Sequence, residues 1–119
     1  MDLSQFLLIL LRSLSEIDFV EKVDIQTEVF ILKGRAILKK NRFLQIYFNE
    51  ITGTIAFALI ENDRRIWGID YDNIRSWHLH PLENPEIHQS IQEKTIEEII
   101  KMLSAIWLSL ENPPSPVPI

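Results

Sequence analysis

A chain of 119 residues, 46% apolar and 24% charged, has the size and composition of one soluble domain and excludes intrinsic disorder. The absence of cysteine excludes disulfide staples and thiolate metal sites. A formal net charge of -5 opposes non-specific binding to nucleic acid, because the long-range field repels phosphates, and leaves only a local basic surface for RNA.

The chain begins with a helix expected over residues 3–15, capped by Asp2 or Ser4, whose side-chain oxygens can satisfy the first free backbone donors. Leu3, Phe6, Leu7, Leu10, Leu11 and Leu14 form one stripe, and Leu8 and Ile9 make the opposite side apolar too. Such a helix needs cover on more than one side, from its own domain, from a second copy in a homodimer, or from a partner protein. The apolar run from Phe6 to Leu11 is six residues long, follows Asp2 and ends at Arg12. It fits neither a signal peptide nor a membrane span, so a cytoplasmic protein with no membrane partner is expected.

From Phe19 to Tyr71 the apolar period changes to two, the pattern of strands with one buried face. Five strands are expected, at 20–27, 29–39, 42–49, 54–61 and 64–71, joined through turn residues at Lys40-Asn41, Asn49 to Gly53 and Glu61-Asn62-Asp63. These strands have two unlike faces. Leu32, Ala36 and Leu38 alternate with Lys33, Arg35 and Lys39, and Leu44, Ile46 and Phe48 alternate with Phe43, Gln45 and Tyr47. One face reads as core. The other combines basic and aromatic side chains, as in platforms for single-stranded nucleic acid, and nominates Lys33, Arg35, Lys39 and Tyr47 as RNA-binding residues. The same residues also suit the plain solvated face of a half-buried sheet. Thr54, Ala56, Ala58, Gly68 and Asp70 add small side chains that can floor a groove.

Thr95-Ile96-Glu97-Glu98 matches a capping box and predicts an amphipathic helix over 96–110 that packs on the sheet, with Trp107 in the core. The expected architecture is therefore α+β: an N-terminal helix, a five-stranded antiparallel meander, a His- and Pro-containing loop and a C-terminal helix. Residues 1–111 make a single domain, and residues 112–119, with four prolines, a flexible tail.

All three histidines, two of the three tryptophans and two of the six prolines lie between Trp67 and His88. Histidine is the side chain whose ordinary pKa lies near neutrality, so proton-transfer and metal-ligand capacity is concentrated in this stretch. His78 and His80 project to one side of an extended segment, and Asp70 and Asp72 share that spacing. The Asn84-Pro85 turn can bring His88 back toward them. Three chemistries suit the set. In the first, His78 and His80 act as acid and base on RNA, with His88 and Asp70 orienting them and Arg75 or Arg35 facing the charged phosphorane, and no cofactor is required. In the second, the three histidines, or two of them with Asp70 or Asp72, hold a metal ion that activates water. In the third, the side chains only bind or pack: Asp72 serves a turn, and Trp67 and Trp77 cover the sheet.

The element order, together with Thr52-Gly53-Thr54-Ile55-Ala56-Phe57-Ala58, Asp72-Asn73, Trp77-His78-Leu79-His80-Pro81, Asn84-Pro85 and His88, resembles the TumE family of small prokaryotic toxin components over roughly residues 19–110. The resemblance implies a toxin neutralised by a separate antitoxin that carries a DNA-binding helix-turn-helix, and an RNA target. A non-catalytic protein-interaction module and a metal-dependent hydrolase are the alternatives to a ribonuclease.

Overall fold

Local chemistry accounts for most of the chain's path. The structure, a computed structural model, describes residues 1–112; beyond Asn112, the expected Pro-rich tail lies outside the described residues. Helix α1 (Leu3–Ser15) starts in a capping box: the Asp2 carboxylate accepts from the Gln5 backbone N–H, and the Gln5 side chain accepts from that of Asp2. Strands β1 (Val20–Glu28), β2 (Ile31–Leu38), β3 (Arg42–Asn49), β4 (Ile55–Glu61) and β5 (Arg64–Asp72) follow. Lys40 and Asn41, then Asn62 and Asp63, all have positive φ between 52° and 62°, the backbone that matches a two-residue hairpin turn to the twist of its strands. Val29 also has positive φ, so it and Phe30 form a turn and β2 begins at Ile31, two residues later than the expected 29.

The expected five-stranded sheet has seven strands among the described residues. The segment read as a loop contains β6 (Ser76–His80) and the two-residue β7 (Gln89–Ser90), before helix α2 (Ile96–Glu111). Asp72 causes the first addition. Its Oδ1 accepts from the backbone N–H groups of Ile74 (2.9 Å) and Arg75 (2.7 Å), closing a turn that sends the chain back along β5. Trp77 and Leu79 then face the core while His78 and His80 face away, which is ordinary strand alternation. All seven strands lie in sequence order, each antiparallel to the next.

Both helices cover one face of the sheet. Phe6, Leu10 and Leu14 of α1 and Ile99, Leu103 and Trp107 of α2 are buried with Leu44, Ile46, Phe57, Leu59 and Ile69 of the strands. Phe6 stacks on Phe48 at 4.3 Å between ring centroids and Phe19 on Trp107 at 4.1 Å, each contributing about 0.5–1.5 kcal/mol beyond area burial. The capping box at Thr95 is present, with the Glu98 backbone N–H donating to Thr95 Oγ1 at 3.1 Å. At the other end of α2, Arg42 donates to Glu61 (2.6 Å) and Glu111 (2.8 Å) and lies over the Trp107 ring, tying the helix to β3 and β4. The stripe of α1 that faces the sheet is buried, while Leu8 and Leu11 remain exposed. No helix among the described residues is long and apolar enough to cross a membrane.

Candidate functional site

Strand register decides what stands on the face opposite the helices. Reading across the sheet, Lys33 pairs with Tyr47, Tyr47 with Ala56, Ala56 with Asp70, and Asp70 with His78. The neighbouring row runs Asp24, Arg35, Gln45, Ala58, Gly68 and His80. Side chains in such rows share a face. Basic and aromatic groups therefore stand at one end, the histidines and Asp70 at the other, and Ala56, Ala58 and Gly68 between them. Gly68 keeps that floor low: a Cβ there would come within 2.8 Å of the Phe57 carbonyl oxygen. Arg35 lies over the Phe43 ring at 4.7 Å, and a depression of about 380 Å³ is lined by Asp24, Gln26, Lys33, Arg35, Gln45 and Tyr47. Lys39 falls one residue past β2 and binds Phe19 O through its backbone N–H.

Residues 81–88 fold back over the histidine end. The Asn84 N–H donates to Pro81 O and the Ile87 N–H to Asn84 O, both at 3.2 Å, and this brings His88 to the other two rings, as the Asn84-Pro85 pair predicts. Its ring centroid lies 4.6 Å from that of His80 and 5.3 Å from that of His78. Direct acid and base roles for His78 and His80 require rings that meet substrate. They are 3% and 1% exposed, and the exposed ring of the cluster is His88.

The hydrogen bonds constrain the buried rings further. His78 Nδ1 lies 3.1 Å from Ser76 O and His80 Nδ1 lies 3.0 Å from Pro85 O. A carbonyl only accepts, so both Nδ1 atoms carry the proton. The Nε2 atoms both face a single carboxylate oxygen, Asp70 Oδ2, at 3.3 Å from His78 and 3.1 Å from His80. Protonating both rings would place two cations in the interior against one carboxylate, leaving a positive charge uncompensated at a cost of several kcal/mol. Arg65 Nη1, 3.8 Å from the same Oδ2, adds to the positive side.

Arg75 Nη1 donates to His88 Nε2, which therefore presents a lone pair. Loss of water around the ring, and then the Arg75 charge, hold the His88 imidazole below its usual pKa. Asp72 takes no part in the cluster. Its Oδ1 is committed to the turn, and the Arg75 backbone N–H holds its carboxyl below the usual carboxylate range.

Asp70, Arg75, His78, His80 and His88 thus come together, whereas Lys33, Arg35 and Tyr47 share the face at a distance of several strands. Arg65 and the carbonyls of Ser76 and Pro85 complete the cluster and carried no signal in the sequence beyond the basic charge of Arg65. In comparisons with known proteins, no family model, curated protein or solved structure matches the chain.

Proposed function

We propose that the protein is a toxin-type ribonuclease that cleaves single-stranded RNA at the end of the open face formed by Asp70, Arg75, His78, His80 and His88. The observation that carries this reading is the cross-strand row joining Lys33 and Tyr47 to Asp70 and His78 over Ala56. With strands about 4.8 Å apart, the three steps from β6 to β3 span about 14 Å and the fourth reaches about 19 Å. That run accommodates two or three nucleotides of an extended strand, with a base on the Tyr47 ring and phosphates at Lys33 and Arg35. At the other end Arg75 turns from His88 Nε2 to the phosphate, and the freed Nε2 accepts the proton of a ribose 2′-hydroxyl. That oxygen attacks the adjacent phosphorus, the bond to the 5′ oxygen breaks, and the leaving oxygen takes a proton from water at the rim. Arg75 faces the charge that builds on the phosphoryl oxygens. The products are a 2′,3′-cyclic phosphate and a 5′-hydroxyl.

Purified protein incubated with end-labelled single-stranded RNA should yield those termini, and expression should arrest growth unless a cognate antitoxin is supplied. His88→Ala and Arg75→Ala should each reduce cleavage at least about tenfold. An intact RNA pool, with normal growth on expression, would remove the proposal. A second reading, a protein-interaction module, is favoured by the exposed apolar Leu8 and Leu11 on α1 and Leu108 on α2. It predicts partner binding that is indifferent to the His88 and Arg75 substitutions.

A further inference from the structure

We infer that Asp70, His78 and His80 form a three-ligand site for one divalent transition-metal ion, best suited to zinc, whose fourth coordination position faces His88. Each buried ring has its Nδ1–H committed to a backbone carbonyl, Ser76 O for His78 and Pro85 O for His80. This is the outer-shell bond that fixes a metal-binding imidazole with its Nε2 lone pair turned inward. Both Nε2 atoms point at Asp70 Oδ2, from 3.3 and 3.1 Å. In a tetrahedral zinc site with bonds of about 2.0–2.1 Å, neighbouring ligand atoms lie about 3.3–3.4 Å apart, and the two spacings to Asp70 Oδ2 are close to those of adjacent corners around an ion.

Without a metal, the carboxylate oxygen accepts a hydrogen bond from His80 Nε2; a divalent ion among the three atoms takes the place of that proton and coordinates all three. Two imidazoles and a carboxylate suit zinc, and three protein ligands leave one position open, the arrangement of catalytic rather than structural zinc sites. The ligand atoms of His78, His80 and His88 lie within 4.8 Å of one another, and His88 is the member on the solvent side. The frame is stiff, because Asp70 and His78 are direct partners on adjacent strands. Arg65, at 3.8 Å and about a third exposed, is the one competing cation at Oδ2 among the described residues and can give way to solvent.

The test is titration of chelator-treated full-length protein with Co2+, read by the visible absorption of four- or five-coordinate cobalt. One equivalent should bind and be displaced by Zn2+. Asp70→Asn, which preserves side-chain shape, should weaken binding at least tenfold, and His80→Ala should do the same. Asp72→Asn and His88→Ala should keep the equivalent, with the His88→Ala spectrum shifted by the change beside the open position. Absence of saturable Co2+ binding by the folded protein, or unchanged binding by Asp70→Asn, would overturn the site. Co2+ binding by a protein that cuts no RNA would support the metal site and remove only the function proposed above. Cleavage by a protein that binds no Co2+ would keep that function and overturn the site.

Discussion

Replacing Asp70 by Asn separates two electrostatic states of the buried pair. If the Nε2 atoms of His78 and His80 carry lone pairs, the Asn amide nitrogen placed where Oδ2 now stands can donate one N–H to each, across the present 3.3 and 3.1 Å. Two new hydrogen bonds at about 0.5–1 kcal/mol each are set against the Arg65 contact at 3.8 Å, a long, partly exposed pair that contributes about 0.5 kcal/mol or less. The metal-free variant should therefore lie between unchanged and about 1.5 kcal/mol more stable than the parent, a rise in Tm of up to roughly 6 °C. If His80 Nε2 instead carries a proton and donates it to the carboxylate, the same substitution strands buried charge and costs about 3–5 kcal/mol. Urea unfolding of both proteins in chelator, followed by tryptophan fluorescence, decides between them. A loss of about 2 kcal/mol or more would refute the lone-pair assignment and remove the electrostatic case for a bound cation.

Two further outcomes follow from the fold. Gly68→Ala forces a Cβ to within 2.8 Å of the Phe57 carbonyl on the adjacent strand, where backbone must move. It should cost about 1–3 kcal/mol, visible as a Tm lowered by roughly 4–12 °C, and a thermal scan unchanged from the parent would show that the strands yield freely. The acid limb of stability should involve α2. Glu98, hydrogen-bonded by Thr95, and Glu111, hydrogen-bonded by Arg42, both titrate below the ordinary glutamate value of 4.5. Since the folded values are depressed, their stabilisation is complete above that value and is lost as pH falls through the folded ones. Glu98→Gln combined with Glu111→Gln should flatten the pH dependence of unfolding below about pH 4.5, and an equally steep dependence in the double variant would assign acid sensitivity elsewhere.

The cluster shows where sequence-level inference ends. Asp70 and Asp72 have the same spacing as His78 and His80 and cannot be told apart by pattern. Antiparallel register separates them: Asp70 lies opposite His78, while Asp72 is spent on closing the turn. The same turn makes β6 a strand, in which Trp77 and Leu79 face the core and the two histidines form the outward half of a period-two pattern, a place where polar residues of any kind suit and strand and loop look alike in sequence.

What the amino-acid order by itself determined are features set within a few residues: the two caps, the turns at Lys40-Asn41 and Asn62-Asp63, and five of the strands with their apolar and polar faces. These rest on φ preferences, short hydrogen bonds and a repeat of two, all local. Tertiary structure alone decided that His78 and His80 face Asp70 and not Asp72, that the Pro85 carbonyl orients His80, and that Arg65 reaches Asp70. Those contacts join different strands and a loop, and their geometry is set by register and turn closure across the sheet, which no neighbouring residue encodes.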